Sequence, residues 1–422
     1  MTNVWRLDTL PSEILIIIFD YCHAFDLVRL SEVCKRFYNI VQDDTLWIKK
    51  SKLPLVTNQI SKRFRDRCNP LLCLRQKWHV SRNWECGRYM ERTLFWERSK
   101  LMPWIQLKQN SLWWGANVQI LGYRRTEYFD AYDFFHNSMY SKDVCKFVVK
   151  DNYVISGHVD GMLEVQEIRG KGSFSSRNAH NSDINAVDAT DYVILTGSND
   201  GNVKVWPIGM HMDDISVPYG TIPIFPFSAH IPLSDRVWSL AADPTGVKFA
   251  VGLSGNKNKS PLHIFDIECY NESDVLRHCW RKGAGVLGIV WEDPNTLLTC
   301  GYDTYVRKWD LRTALCVNSW PDPTDATVYC LSSDHAYTMV TGTQYHSKAV
   351  LWDQRQKNFV QIYFVHESYE SSPIYSICFD STHLYAATDQ HFIQLTFSGH
   401  SYDEMNYRYM LDAPKIKCSK TD

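Results

Sequence analysis

Apolar and polar residues alternate along short segments of the chain from residue 102 onward, and turn residues separate one segment from the next. The clearest examples are residues 194–206 and 297–310, in which two apolar runs flank the turns Ser198-Asn-Asp-Gly201 and Gly301-Tyr-Asp-Thr304. Alternation with a period of two residues, interrupted by Gly, Asn and Asp, is typical of β-hairpins. The pattern therefore predicts that this part of the chain folds as repeated antiparallel strands.

The repeats have a regular length. Fainter copies cover residues 155–168, 249–266, 339–353 and 384–397, and the position that ends the second strand recurs every 40 to 44 residues, with one interval of 59. Those positions are Tyr123, Gln166, Trp206, Phe265, Trp309, Trp352 and Leu395. Such intervals are typical of propeller blades, so we predict a mainly β fold with a closed seven-bladed β-propeller over residues 102–410. The pattern leaves open whether residues 406–410 or an N-terminal segment supply the last outer strand.

The first fifty residues follow a helical pattern instead. Thr9 and Pro11 are suited to begin a helix before the unbroken apolar run 14–19, and Asp26 and Asp44 are suited to begin two more. Three helices in about 40 residues rarely cover their own apolar surface, so the surplus predicts a partner protein. Periodicity alone favours the plainer alternative, a small helical cap that packs on the rest of the protein.

Residues 51–101 are rich in Arg, Lys and Trp and are predicted to form a helical linker. We interpret them as a rigid connector with a solvated face. A nucleic-acid-binding patch is the alternative, but the segment lacks the interleaved glycines and aromatic residues typical of such surfaces. Residues 411–422 are predicted to be a polar tail.

Composition places the protein in an ordinary class. It has 422 residues, 45% of them hydrophobic, and a net charge of −2, so nothing in the overall charge indicates nucleic acid or membrane as a partner. The 13 cysteines are scattered singly, which fits neither a disulfide framework nor a zinc site. The apolar run 14–19 is too short for a signal peptide or a membrane span, so we expect a cytoplasmic or nuclear protein. The sequence shows no nucleophile elbow, metal-protease motif, phosphate-binding loop or paired carboxylates, and we expect no enzyme activity, no metal and no cofactor.

The N-terminal residues carry a specific resemblance. The resemblance rests on Leu10-Pro11, on the segments 13–15 and 18–19, and on the later Leu, Val, Cys and Trp positions. Through these positions, residues 5–50 resemble the F-box family. Cys22 and Phe37 depart from the family pattern, but both replacements are apolar. The resemblance implies docking of a Skp-family adaptor, and through it a cullin–RING ubiquitin ligase, by Leu10, Pro11, Ile14, Leu15, Ile18, Phe19, Leu27, Leu30, Val33, Cys34 and Trp47.

The β-hairpin copies resemble WD repeats. His180, Thr196, Asp200 and Trp206 occupy the four positions that form a hydrogen-bonded relay in that family, so the resemblance implies a structural role for them and not a catalytic one. An F-box followed by WD repeats resembles the F-box/WD-repeat substrate receptors. This implies a non-catalytic subunit of a Skp–cullin–F-box E3 ubiquitin ligase, whose propeller binds target proteins for ubiquitination and degradation. The alternative is a WD-repeat scaffold in assembly or signalling, without a degradative role.

Propellers of this family bind targets on the face formed by the starts of the inner strands and by the turns before the Asp positions. Phosphate-reading relatives place arginines there, because guanidinium groups pair bidentately with phosphate. This protein places aromatic residues there instead, and we predict that Trp238, Tyr302, Tyr329 and Tyr375 anchor the target. Lys257, Lys259, Arg281 and Lys282 are candidates for a peripheral phosphate contact. The alternative is that the aromatic residues plug the channel and the basic residues are solvated loops. The identity of the target and its need for phosphorylation stay open.

Overall fold

The computed structural model describes residues 6–48, 54–126, 129–208, 227–233, 235–256, 260–274, 276, 278–365, 372–400, 402 and 404–405. Within these residues the protein forms an N-terminal group of helices, a helical linker and seven four-stranded antiparallel sheets. The predicted tail 411–422 and the segment 406–410 lie outside the described residues.

The N-terminal unit contains four α-helices, where the sequence pattern predicted three. A 3₁₀ turn over Leu7–Thr9 precedes α1 (Ser12–Asp20), α2 (Ala24–Val33), α3 (Lys35–Val41) and α4 (Asp44–Ile48). Pro11 is the residue before α1, and the Thr9 hydroxyl donates to the Arg6 carbonyl at 2.7 Å, so Thr9 does not cap that helix. Cys34 separates α2 from α3, because its extended backbone ends one helix while its Sγ accepts from the Phe37 N–H at 3.4 Å.

The linker contains α5 (Lys62–Arg65) and α6 (Leu74–Cys86), and α6 ends at Gly87 in the left-handed conformation, with φ of 68°. One end of α6 packs on the N-terminal helices through Leu74 and Trp78. The other end is part of the propeller core through Val80 and Trp84. The helix therefore connects the two units through buried apolar contacts at both ends.

The seven sheets are the predicted propeller blades, and the predicted fold is confirmed. Each inner strand packs against the inner strand of the next blade, and the last packs against the first, so the ring is closed. Blades one to three comprise β2 (Trp104–Leu107), β3 (Ser111–Ala116), β4 (Gln119–Arg124) and β5 (Phe134–Met139); β6 (Val144–Lys150), β7 (Tyr153–His158), β8 (Leu163–Glu167) and β9 (Ser173–Ser176); and β10 (Ala186–Ala189), β11 (Val193–Gly197), β12 (Asn202–Pro207) and β13 (Ala229–Pro232).

Blades four to seven follow in the same order, from the inner strand outward. They comprise β14 (Val237–Ala242), β15 (Lys248–Leu253), β16 (Leu262–Asp266) and β17 (Glu272–Asp274); β18 (Val286–Asp293), β19 (Thr296–Gly301), β20 (Tyr305–Asp310) and β21 (Leu315–Pro321); β22 (Val328–Ser333), β23 (Thr338–Thr343), β24 (Lys348–Asp353) and β25 (Phe359–Phe364); and β26 (Ser376–Phe379), β27 (His383–Ala387), β28 (His391–Thr396) and β1 (Met90–Trp96).

Strand β1 supplies the outer strand that the sequence pattern left open. It pairs with β28 in antiparallel register, from Met90 opposite Thr396 to Trp96 opposite His391. The predicted helical linker over residues 51–101 is therefore wrong at its C-terminal end. The physical reason is that β28 would otherwise present an unpaired strand edge, and pairing with a distant segment removes that edge.

The linker lies on one face of the ring, at the turns between the first and second strands of the blades. Val56 N–H donates to the Thr338 hydroxyl at 2.8 Å, and Arg63 donates to the Trp291 carbonyl at 2.8 Å. We call this the linker face. The starts of the inner strands and the turns after the second strands form the opposite face, which we call the upper face.

Candidate functional site

The predicted adaptor-binding residues divide into three groups by exposure. Leu15, Phe19, Leu27 and Trp47 are fully buried and form the core of the N-terminal unit. Leu10, Leu30 and Cys34 are partly buried against that core. Pro11, Ile14, Ile18 and Val33 are exposed. The exposed residues can therefore contact an adaptor directly. The buried residues can only support the surface that the adaptor would contact.

Helix α1 exposes an apolar side that sequence reasoning covered only in part. Ile14, Ile17, Ile18 and Tyr21 are exposed by 44%, 57%, 36% and 89%, and their spacing of three and four residues places them on one side of the helix. We call this side the adaptor face. Ile17 and Tyr21 were not among the predicted docking residues, although the unbroken apolar run 14–19 was a visible signal for Ile17.

The N-terminal unit is held at a fixed position relative to the propeller. Trp47 of α4 and Trp78 of α6 are in contact, with ring centroids 5.9 Å apart, and Arg75 donates to the Ser31 hydroxyl at 3.2 Å. The linker side chain Gln59 reaches the propeller residue Ser381, with its Nε2 donating to that hydroxyl at 3.0 Å. These contacts hold the N-terminal unit, which carries the adaptor face, on the linker side of the ring.

The upper face brings together all four predicted aromatic anchors. The ring centroids of Trp238 and Tyr302 are 5.1 Å apart, those of Tyr302 and Tyr329 are 6.2 Å apart, and those of Tyr329 and Tyr375 are 5.6 Å apart with nearly parallel planes. We call these four residues the aromatic row. They come from blades four to seven and form one continuous surface beside the channel mouth.

β-bulges explain how two of these side chains, Trp238 and Tyr329, reach the upper face. The pairing register shifts around the second residue of the inner strand in four blades, at Cys145, Trp238, Leu287 and Tyr329. A bulge leaves one residue unpaired and turns its side chain out of the regular ladder. The sequence located these positions by spacing, but it held no sign of the bulges themselves.

The aromatic row is uncharged and only partly covered. Tyr302 is 41% exposed, whereas Trp238, Tyr329 and Tyr375 are half-buried. Burial raises the pKa of Tyr329 to about 12, and the neighbouring phenols add to that shift. Tyr345, which is 50% exposed and belongs to the groups that perturb Tyr329, was missed because its turn contains no Asp to mark the position. The row is an apolar surface with phenol hydroxyls at its edge.

Comparisons with known proteins agree with this architecture. A family profile described as F-box-like matches residues 7–52, and one described as WD domain, G-beta repeat matches residues 172–207. F-box/WD repeat-containing protein 4 of Mus musculus is 33% identical over 406 residues, a match that spans 93% of each protein. The protein of the same name from Homo sapiens is 33% identical over 411 residues, again spanning 93% of each protein. The chain belongs to the F-box/WD repeat-containing protein 4 family.

The repeat profile of this F-box/WD-repeat protein falls on the third blade, which contains the predicted relay. His180 Nε2 lies 2.8 Å from the Thr196 hydroxyl, its Nδ1 lies 3.2 Å from Asp200, and the Trp206 indole donates to Thr196 at 3.0 Å. Burial lowers the pKa of His180 to about 4, so the imidazole is neutral at pH 7. The four residues satisfy one another and hold the turn, because each buried polar atom has a partner.

Two other blades of the F-box/WD-repeat protein keep part of the relay. The Trp309 indole donates to the Thr299 hydroxyl at 2.9 Å, and the Trp352 indole donates to the Thr341 hydroxyl at 3.0 Å. In the sixth blade Lys348 and Asp322 form a buried ion pair at 2.8 Å. The blades therefore satisfy their buried polar groups by different means, which is why most of them match the repeat pattern weakly.

Only two of the four predicted basic contacts lie within the described residues. Arg281 and Lys282 are exposed in the connection between β17 and β18, whereas Lys257 and Lys259 lie outside the described residues. Arg236, two residues before Trp238, is also exposed on the upper face and was missed by sequence reasoning. These side chains flank the aromatic row of the F-box/WD-repeat protein and leave the row itself uncharged.

The described residues provide no metal centre and no long apolar helix. No group of three or more His, Cys, Asp and Glu side chains within them is arranged to hold a metal ion. None of their helices has the length and apolar character needed to cross a membrane.

Proposed function

We propose that this protein is the substrate-recognition subunit of a Skp–cullin–F-box E3 ubiquitin ligase. The adaptor face docks the Skp adaptor, and the aromatic row on the upper face binds target proteins. The observation that carries the proposal is the presence of two exposed apolar surfaces, one on the N-terminal unit and one on the upper face of the closed ring, joined by a linker that is buried at both ends.

The subunit contributes proximity in this proposal, and chemistry belongs to the partner enzymes. Holding a target lysine near a charged ubiquitin carrier raises the effective concentration of the reacting groups. This gain depends on a fixed distance between docking and target sites, because a floppy connection would dilute it. The contacts of Trp78 and Trp84 on α6 support a fixed distance.

The aromatic row fits a target anchor that is apolar or aromatic. Closely spaced aromatic side chains at the centre of a surface are typical binding hot spots, and a rim of polar groups excludes water around them. The exposed Arg236, Arg281 and Lys282 flank the row, so any contact with phosphate is peripheral.

Co-purification from cells tests the ligase assignment. We expect the Skp adaptor and a cullin to co-purify with the intact protein, and both to be lost from the double variant Ile14→Asp/Ile17→Asp. A protein that captures the adaptor but never a cullin would contradict the ligase assignment and favour the scaffold.

The target site is tested with Trp238→Ala/Tyr375→Ala. We expect this variant to keep the adaptor and the cullin and to lose proteins whose abundance falls when the intact protein is expressed. Tyr192→Ala is the matched control, because Tyr192 is 69% exposed and precedes β11 at the linker face. Equal target capture by both variants would contradict the assignment of the aromatic row.

A further inference from the structure

The inner strands enclose a small cavity next to the aromatic row. Its volume is about 100 Å³, and six of the seven inner strands contribute to its lining. Trp238 and Tyr329 belong both to the lining and to the row. A target that lies on the aromatic row is therefore next to the cavity.

Lys146 supplies a cation in this lining. It is the third residue of β6, directly after the bulge at Cys145, and its Nζ lies 2.9 Å from the centroid of the Trp104 ring. Within the residues that the structure describes, its ammonium forms no hydrogen bond and no ion pair. The aromatic ring stabilises the charge from one side by a cation–π contact and leaves its N–H donors unused.

A carboxylate that acts electrostatically on Lys146 already accepts hydrogen bonds from backbone N–H groups. The Asp188 carboxylate, whose charge acts on Lys146, accepts the N–H groups of Ala189 at 2.9 Å and Ala242 at 2.8 Å. The indole N–H of Trp104 is buried and also has no partner within the described residues. Among those residues the cavity lining therefore includes one buried indole N–H without an acceptor, which is costly, and beside it an ammonium that forms no hydrogen bond.

Two other polar groups of the lining donate hydrogen bonds to partners of their own. The Asn185 amide donates to Asn199 Oδ1 at 2.6 Å, and the Ser239 hydroxyl donates to the Val286 carbonyl at 2.8 Å. A single ammonium matches the charge of one carboxylate, whereas a phosphate dianion is commonly held by arginines. Neither Arg nor a second Lys is among the described residues that line the cavity.

We propose that the cavity receives a carboxylate of the target, from an Asp or Glu residue or from a free C-terminus, which pairs with Lys146 while apolar target residues lie on the aromatic row. The inference rests on the proposed target-binding function of the upper face and adds the chemical class that it selects. Burial lowers the pKa of Lys146 to about 7, and an entering carboxylate offsets that penalty by pairing with the ammonium.

Selection from a random peptide library tests this inference. The full-length protein, in complex with its Skp adaptor, is the bait, and peptides are displayed both internally and with a free C-terminus. We expect peptides that combine an acidic group with an aromatic or large apolar residue. The two display formats distinguish an Asp or Glu carboxylate from a terminal one.

Synthetic peptides then provide the decisive comparison. Replacing the acidic residue by its amide, or amidating the C-terminus, is expected to weaken binding about tenfold or more, because a charge-assisted hydrogen bond is lost. Lys146→Met is expected to abolish this difference between acid and amide, whereas the control Lys150→Met, on the same strand but paired with Asp191, keeps it. The comparison on the unaltered protein stands even if a variant folds poorly.

Two results overturn the inference in distinguishable ways. Peptides that need Trp238 and Tyr329 but bind equally as acid and amide contradict the carboxylate pocket and leave the aromatic row standing as a target site. A selection that yields no peptide dependent on Trp238 or Tyr329 contradicts both the pocket and the proposed target site.

Discussion

The indole of Trp84 is stacked on the ring of Phe397, with centroids 3.7 Å apart and planes inclined by 14°. Trp84 lies near the end of linker helix α6, and Phe397 directly follows β28 of the seventh blade. The same indole donates to the Ser381 carbonyl at 3.0 Å, and the Tyr363 hydroxyl donates to the Trp84 carbonyl at 2.6 Å. The linker is therefore part of the propeller core.

Removing the Trp84 indole is expected to destabilise the whole protein. Trp84→Ala opens a cavity in a closely packed core and leaves the Ser381 carbonyl without its indole donor, which costs about 3–5 kcal/mol of unfolding free energy. Chemical denaturation measures the loss. Trp84→Phe keeps an aromatic contact with Phe397 but removes the indole donor, so we expect it to lose less. An unchanged denaturation midpoint for Trp84→Ala would contradict the account of the linker as a core element.

Exposed and buried residues of the N-terminal unit are expected to respond differently to substitution. Ile17→Asp places a charge on the adaptor face, so we expect loss of adaptor binding with little change in thermal unfolding, because Ile17 is 57% exposed. Leu15→Ala removes a fully buried side chain and is expected to cost about 2–5 kcal/mol. Calorimetry together with an adaptor pull-down separates the two effects. A folded Ile17→Asp variant that binds the adaptor normally would place docking elsewhere.

The repeat spacing was sufficient to predict seven blades, because turn residues and alternating apolar positions are local signals. The closing strand was not predictable in the same way. Residues 90–96 pair with residues 391–396. The local sequence of neither segment indicates which strand it pairs with. The predicted linker boundary at residue 101 was wrong for this reason, since pairing across some 300 residues is decided by the free edge of β28.

Shortening the protein tests the role of β1. A form that begins at residue 100 lacks the linker and β1, so we expect the exposed edge of β28, together with the core surface that the linker covered, to cause self-association, which light scattering and size-exclusion chromatography measure. A form that begins at residue 54 keeps the linker and β1 and is the matched control, which we expect to be monodisperse. A monodisperse, cooperatively unfolding product from the shorter form would show that ring closure does not need β1.

The sequence located four aromatic residues on one face of the ring but gave no geometry for them. The family's binding face and the repeat spacing selected Trp238, Tyr302, Tyr329 and Tyr375, and the structure places them in one row, while their role as target anchors stays a prediction. Lys146 carried no signal, because an alternating strand pattern does not reveal which lysine lacks an acidic partner. The bulge before it is likewise a property of two paired strands and not of one sequence segment.

The relay of the third blade is expected to make stability depend on pH. The folded pKa of His180 is about 4, whereas an unfolded histidine titrates near about 6.5. Between these values the unfolded protein binds a proton that the folded protein excludes, so stability is full above about pH 6.5 and falls as the pH drops toward 4. Burial is the main cause, and Asp200, Lys204 and His230 are the charged groups that act on His180.

Denaturation midpoints across this pH range, compared between the intact protein and His180→Gln, measure that contribution. We expect the variant to be less stable at pH 7, by about 1–3 kcal/mol, because Thr196 and Asp200 lose their partner. Its profile should be flatter between pH 6.5 and 4, because the titrating group is gone. Parallel profiles for the two proteins would contradict the assignment of a buried neutral imidazole.

Gly285 is expected to control the position of Trp238. A Cβ at Gly285 would lie 2.6 Å from Cζ3 of the Trp238 ring and 2.6 Å from the Ser254 carbonyl oxygen, which is closer than such atoms approach. Gly285→Ala therefore displaces the ring from the aromatic row, and we expect a loss of binding to row-dependent peptides comparable with that of Trp238→Ala. Gly283→Ala is the matched control, because a Cβ there meets nothing within 4 Å although the backbone φ of 80° carries strain. Equal binding by both glycine variants, with Trp238→Ala defective, would show that the ring does not need this gap to hold its place.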